Sequence, residues 1–190
     1  MMIQTIADSF SLIASQTRVN AIFLTEILLL LWGIYIINRL LGNRLLYLGI
    51  RPRVLAGLPG IVCAPFLHAN FNHLFFNSIP FVVLANFILI QGIPFFLHVS
   101  ACIILISGLL TWCFANDGYH VGASGVITGY WGYLMAHAYY QSTVTSVVLA
   151  LVCVVYFAGI LYAIFPGKKH VSWQGHLFGL IAGFGVAYYF

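Results

Sequence analysis

The sequence predicts an all-α, polytopic membrane protein folded as a bundle of six transmembrane helices, and three observations carry that prediction. Only 5% of the 190 residues are charged while 63% are hydrophobic, and the mean hydropathy is +1.05. A soluble domain carries about 25% charged residues, so this chain cannot cover a water-facing surface. Second, apolar stretches near the ~20 residues that cross a hydrocarbon core as a helix recur six times. Third, these stretches are apolar all round, whereas the strands of a membrane barrel would alternate in polarity. The length is used up by six spans and short loops, leaving no room for a second domain.

Each element follows from a local pattern. Residues 1–19 form an N-terminal segment that lacks the basic start and small-residue cleavage site of a secretory signal. It carries Asp8 and Arg18, and Ile3, Ile6, Phe10 and Ile13 recur at helical spacing, which suits a short helix lying on the membrane surface. The bundle domain then runs over residues 20–190, with spans expected at 20–41, 73–91, 95–115, 124–141, 145–165 and 174–190. Short breaks separate the spans: Gln91-Gly92-Ile93-Pro94, Asn116-Asp117-Gly118-Tyr119-His120, Gln141-Ser142-Thr143 and Pro166-Gly167-Lys168-Lys169-His170. The long connection 42–72 is too apolar for a solvated linker and is expected to lie half-embedded beside the bundle. Cys63, Cys102, Cys113 and Cys153 form no CxxC pair and read as packing residues.

Counting spans places three polar residues at one end. His73, Ser124 and His176 open the second, fourth and sixth spans, so all face the same leaflet. His73 and Asn77 lie one helical turn apart and share a face. Both are suitable donors to a developing oxyanion, and both equally suit interhelical hydrogen bonding in a membrane. Gly122, Gly125, Gly129 and Gly132 follow the fourth span, while Gly175, Gly179 and Gly183 recur every four residues along the sixth. Small-xxx-small stripes let membrane helices approach closely. Backbone contact between those two spans would set Ser124 beside His176, a nucleophile and a base.

Other chemistries are excluded by what the chain lacks. Asp8, Glu26 and Asp117 are its only acids, so no pair of intramembrane aspartates exists for an aspartyl protease. There is no HExxH for a zinc protease. Residue 126 is Val, so the nucleophile-elbow pattern GxSxG is unmet. His98, His120, His137 and His170 are scattered, with no sign of a haem or metal site. Glu26 is expected to snorkel toward the interface, and Asp117 to cap a loop.

Three motifs together resemble the rhomboid family of intramembrane serine proteases. They are the segment from His68 through His73 to Asn77, Gly122-Ala123-Ser124-Gly125, and Gly175-His176-Leu177-Phe178-Gly179 through Gly183. These are similar to the family's HxxxN, GxSG and HxxGxxxG signatures, in order, on the second, fourth and sixth spans. The resemblance implies that Ser124 is the nucleophile and His176 the general base and later acid. It implies an oxyanion hole from His73, Asn77 and the Ser124 backbone N–H, with Gly122, Gly125, Gly179 and Gly183 packing the helices at the site. The implied partners are the lipid bilayer and single-span membrane-protein substrates, with no cofactor, metal or nucleic acid; the oligomeric state is unspecified. The sequence departs from the family twice. The first-loop Trp-Arg pair of many members is absent, and Thr128 stands where members often place a Tyr that stacks on the histidine. Trp131 or Tyr130 is then a candidate to steady His176.

Two competing readings remain. One is a catalytically silent rhomboid-like protein that binds and escorts transmembrane helices. The other, a small-solute transporter, would call for intramembrane charges along a path. Orientation is contested as well. Arg39, Arg44, Arg51, Arg53, Lys168 and Lys169 share the Ser124 end, and only Arg18 lies at the other, so positive-inside reasoning turns Ser124 toward the cytoplasm. Resemblance to bacterial members implies the inner membrane with the site facing outward, and that orientation is favoured. Residues 166–172 are expected to form a mobile cap over the dyad, and the fifth span to move with it.

Overall fold

The computed structural model describes residues 2–166 and 172–190, and these are mainly helical, with no strand beyond one isolated bridge between Ile50 and His120. The helices are α1 (Met2–Leu40), α2 (Gly60–Cys63), α3 (Phe71–Leu89), α4 (Ile93–Phe114), α5 (Ser124–Gln141), α6 (Val144–Phe157) and α7 (Trp173–Tyr189). Among the described residues four stretches are long and apolar enough to cross a membrane: Ala7–Leu40, Phe71–Leu89, Ile93–Phe114 and Val144–Ile164. The protein is an integral membrane protein. α5 and α7 form the most extensive helix pair, and α5 also packs on α3, α4 and α6.

The expected break between an N-terminal segment and the first span is absent, because α1 runs unbroken from Met2 to Leu40. No Gly or Pro interrupts it before Gly33, and its hydroxyls bond back into the helix, Ser15 Oγ to the Leu12 carbonyl and Thr17 Oγ1 to that of Ile13. Ser9 lies against Thr145 at the start of α6, Oγ to Oγ1 at 3.1 Å, so this part of α1 is docked on the bundle. A buried polar relay fixes α1 against α3. Asn20 Nδ2 donates to Asn86 Oδ1, and Asn86 Nδ2 donates to Thr17 Oγ1. With no water available in hydrocarbon, such groups must satisfy one another, and that sets the register of the two helices.

The connection after α1 is compact. It contains 3₁₀ turns at Arg44–Leu48, Leu55–Gly57 and Ala64–Phe66 around the short α2. Tyr47, Leu55 and Val62 on it are exposed, which fits an element lying at the lipid interface. Gly60 and Gly108 let it sit close. A Cβ on Gly60 would run into the Gly49 backbone, and one on Gly108 would lie 2.6 Å from Ile61 Cγ2. In place of any Trp-Arg pair, Arg53 ties this connection to the end of α4. Its N–H donates to the Trp112 carbonyl at 2.9 Å, its Nη1 to Ala115 O, and its guanidinium pairs with Asp117. Trp112 Nε1 donates back to Val54 O. The loop is thereby tied to the end of α4, and Asp117 serves as an ion-pair partner.

α6 gives way to a 3₁₀ segment over Ala158–Ile164, which begins beside Gly159. The expected cap at 166–172 falls almost wholly outside the described residues, as do Lys168, Lys169 and His170.

The α5–α7 contact is made by backbone. A Cβ on Gly125 would lie 3.0 Å from Gly175 O, and one on Gly129 would lie 3.1 Å from Gly179 O. On the opposing helix, a Cβ at Gly179 would collide with Gly125 O and one at Gly183 with Gly129 O. No room exists for a methyl group. Gly185, on the same helix, has open space where a Cβ would stand, with nothing within 4 Å, and serves as the internal control. Gly179→Ala should therefore cost about 2–3 kcal/mol by overpacking and lower the unfolding midpoint in detergent, while Gly185→Ala leaves it unchanged or raises it slightly.

Candidate active site

The start of α5 is open at its N-terminus. Its N-cap is Ala123, which has no capping side chain, so the first-turn N–H groups next to Ser124 are uncapped by any side chain there. The approach to Ser124 is built with care for backbone shape. Gly122 has φ +119°, a region that favours glycine, and its N–H donates to the Ala64 carbonyl at 2.9 Å. The Ala123 N–H points at His68 Nε2, 3.4 Å away. Ser124 itself is half-buried and lines a small cavity of about 50 Å³ together with Gly122, His120, Ser172, Gly175 and Pro65.

His176 is buried at 7% exposure on the first turn of α7. Gly125 and Gly175 meet backbone to backbone, so the residues beside them in sequence, Ser124 and His176, occupy adjoining first turns at the same depth. The ring is held at one nitrogen. His176 Nδ1 lies 2.9 Å from the Ala163 carbonyl. A carbonyl can only accept, so Nδ1 carries the proton and the Nε2 lone pair is left available as a base. The 3₁₀ ending of α6 makes this possible, because the last carbonyls of a helix have no partner within it.

Thr128 steadies the same residue from the other side. Its Oγ1 lies 3.0 Å from the His176 carbonyl, and within reach of the Gly125 and Ser124 carbonyls as well. It thus stitches α5 to α7 by backbone, whereas a stacked Tyr would act on the ring. The suggestion that Trp131 or Tyr130 steadies His176 is overturned. Trp131 Nε1 donates to Cys153 O, and Tyr130 OH pairs with Ser100 Oγ at 2.7 Å. Both side chains are taken up by packing on α6 and α4.

His73 and Asn77 converge from α3 on the backbone of Gly122. A Cβ there would lie 2.6 Å from His73 Nε2 and 3.6 Å from Asn77 Nδ2. Asn77 Nδ2 is buried with no hydrogen-bond partner among the described residues. A buried amide donor left unpaired costs about 1–3 kcal/mol, so its placement beside the Ser124 loop calls for a functional explanation. The Asn70 side chain caps α3 by accepting from the His73 N–H at 2.9 Å, which fixes where His73 starts its turn.

Three positioning groups have no role assigned by the sequence reading, although His68 opens the first motif segment. His68 accepts the Ala123 N–H and packs edge-on against the His73 ring, centroids 5.1 Å apart. His120 bridges the loop to α7: its Nε2 donates to Asn116 O and its Nδ1 accepts from Ser172 Oγ at 2.7 Å. Ser172 Oγ in turn caps α7 by accepting from Gly175 N. The Ala163 carbonyl is the third. The Ser172 cap carries a local signal, a serine immediately before a helical run. Among the described residues no group of three or more His, Cys, Asp or Glu side chains could hold a metal.

Burial, with His73 nearby as a second cause, holds His68 well below the usual histidine range, at about 4. Its folded value lies under its unfolded value of 6.5, so folding favours the neutral ring. That contribution is complete above pH 6.5 and is lost as the pH falls toward 4, amounting to about 3 kcal/mol at most. The unfolding midpoint in detergent should drop over that window. His68→Gln, which keeps an acceptor and cannot titrate, should flatten the drop.

A family model described as the rhomboid domain matches residues 56–190. Uncharacterised proteins of Mycobacterium tuberculosis and Mycobacterium bovis are each 38% identical over 168 residues, covering 84% of this chain and 70% of their own. An uncharacterised protein of Mycobacterium leprae is 33% identical over 179 residues, covering 90% of this chain and 71% of its own. With three signatures in order at one end of an all-helical membrane bundle and a domain match over most of its length, this chain belongs to the rhomboid family.

Proposed function

We propose that this protein is an intramembrane serine endopeptidase that crosses the membrane six times and cuts single-span membrane-protein substrates in or near their transmembrane segment. The observation that carries the reading is the His176 ring, which has Nδ1 bound to the Ala163 carbonyl and sits on the turn adjoining Ser124. The dyad needs no carboxylate for that tautomer, since a backbone carbonyl fixes it. α5 crosses although it is more polar than the other spans because neighbouring helices shield it from lipid, and helices of 18 and 17 residues, α5 and α7, span about 27 and 25 Å.

In the first step Ser124 Oγ attacks the scissile carbonyl carbon while His176 Nε2 takes its proton. The carbonyl oxygen becomes an oxyanion. It is met by Asn77 Nδ2, by the His73 ring and by the Ser124 N–H at the positive end of α5. The C–N bond then breaks, and the proton on Nε2 passes to the departing amine. Water hydrolyses the remaining ester, with His176 accepting the water proton and returning it to Ser124 Oγ. The Nδ1–H to Ala163 bond persists throughout and becomes stronger while the ring is cationic.

The unpartnered Asn77 donor supports this role over that of a helix-binding escort, which has no need for an unsatisfied amide beside a serine. Purified protein in liposomes with a single-span substrate provides the test. Ser124→Ala and His176→Ala should each remove cleavage while the unfolding midpoint is retained. Asn77→Ala should lower kcat about 10²–10³-fold with little change in KM, the loss expected for one oxyanion donor. Full cleavage by Ser124→Ala would refute the proposal.

For orientation we place the Ser124 end toward the outer side of a bacterial inner membrane. Of the four described arginines at that end, Arg53 is paired with Asp117 and Arg51 lies 5.8 Å over the Tyr119 ring. A cysteine introduced at Lys168 should react with a membrane-impermeant maleimide in intact cells. Reaction only after permeabilisation would reverse the orientation.

A further inference from the structure

We propose that a cavity at the end of the bundle opposite Ser124 binds a membrane amphiphile whose headgroup is uncharged and bears hydroxyls, such as an acylglycerol. This inference stands apart from the protease reading. The cavity holds about 350 Å³, inside the range of about 300–1,000 Å³ usual for small-molecule sites. It opens where α3 and α5 end and α6 begins, and Leu12 of α1 and Phe190 also line it. From Ser124 to Gln141, which is on its rim, α5 rises about 25 Å. It shares no residue with the small cavity at Ser124.

The lining selects that kind of headgroup. Gln91, His137, Gln141, Thr143, Thr145 and Ser146 offer hydrogen bonds, and no Lys, Arg, Asp or Glu lines the cavity. A phosphate or carboxylate would lose its water there without gaining a cation, and an ammonium without gaining a carboxylate. Gln91 Nε2 donates to His137 Nε2 at 3.2 Å, and Gln141 Nε2 donates to the Phe190 carbonyl at 3.5 Å. Neither glutamine Oε1 has a hydrogen bond among the described residues, so both are open acceptors. A hydroxyl can donate to them, whereas the oxygens of a phosphodiester cannot. His137 is fixed as part of this wall. Its ring stacks on the Tyr133 ring with centroids 5.2 Å apart, and its Nδ1 lies 3.3 Å from the Tyr133 hydroxyl. The polar wall is therefore set before a ligand arrives, which lowers the cost of binding.

Depth and neighbours point to a lipid as the source of the hydroxyls. Tyr139, Tyr140, Tyr188 and Tyr189 stand at this end and are between 51 and 86% exposed, with the Tyr140 and Tyr188 rings 6.0 Å apart. Exposed tyrosines of a membrane bundle gather at the level of the headgroups. Gln141 and Phe190 directly follow two of them, so the polar rim lies at that level. Farther in, the lining turns apolar. Leu134, about 10 Å deeper along α5 than Gln141, and Leu149 on α6 are both buried. An amphiphile standing in its own leaflet sets its hydroxyls against the glutamines and its first acyl carbons against these leucines.

Native mass spectrometry of the full chain, released from a polyoxyethylene detergent that carries no sugar, provides the test. Monooleoylglycerol should form a one-to-one adduct, and monooleoyl phosphate should bind about tenfold more weakly for want of a cation. Free glycerol in large excess should leave the adduct in place, because it has nothing to bury against Leu134 and Leu149. Gln91→Leu combined with Gln141→Leu should weaken binding of monooleoylglycerol about tenfold, the effect of removing acceptors from a desolvated site. Both glutamines are exposed, so the unfolding midpoint should be retained. Gln141→Lys should turn the preference toward monooleoyl phosphate, a gain that a misfolded variant cannot produce. Equal binding of the two lipids by wild type, displacement by free glycerol, undiminished binding by the double-leucine variant, or an unaltered preference in Gln141→Lys would each overturn the proposal.

Discussion

Close approach between α5 and α7 is the constraint from which the rest of the site follows. In lipid there is no hydrophobic drive between helices, so association rests on van der Waals fit and on polar groups that satisfy one another. Gly125 and Gly129 face Gly175, Gly179 and Gly183 with no space for a methyl group. That contact brings the first turns of both helices to a common depth and leaves Ser124 and His176 on neighbouring turns. Thr128 joins the two backbones further by bonding the His176 carbonyl. Any side chain at Gly179 would push α7 outward and carry the imidazole with it.

Around that pair the proposed mechanism assigns to backbone groups what soluble serine hydrolases assign to side chains. The Ala163 carbonyl at the 3₁₀ end of α6 holds His176 Nδ1, and in the proposed mechanism it stands where a triad acid would. A buried carboxylate would be expensive here, whereas the orphan carbonyl of a helix end is present already. The loop before Ser124 is held from three directions: by Ala64 at Gly122, by His68 at Ala123, and by the pairing of Ile50 with His120. His120 then reaches Ser172, the cap of α7. The first loop, the serine loop and the histidine helix therefore form one connected body, with Arg53 anchoring it to the end of α4.

The fold is legible in the sequence to the extent that hydropathy governs it. Apolar length marks the helices, and Gly, Pro and Asn breaks mark their ends, so that α5 spans the expected 124–141 and α3, α4 and α7 differ by one or two residues. The first helix departs from expectation because polarity alone argues for a break near residue 19. Ser, Thr and Asn side chains there bond within the helix or to α3 and α6, so polar residues become contacts rather than a terminus. The residues proposed for the site, Ser124, His176, His73 and Asn77, are picked out by residue type and spacing. It is illegible where a backbone atom carries the role, since no residue type announces the Ala163 carbonyl. His68 opens the first motif segment, but its role stays hidden for another reason: its partner is an N–H distant in sequence, and only the folded loop joins them.

The central claim is that Ser124 is made nucleophilic by His176 across the glycine contact. Reaction of the folded protein with a fluorophosphonate probe, followed by peptide mapping, tests it most directly. The account predicts a single adduct on Ser124 that is lost in His176→Ala and greatly slowed in Gly179→Ala. Folded wild-type protein with Ser124 unmodified, or equal labelling of Ser124 in His176→Ala, would contradict it.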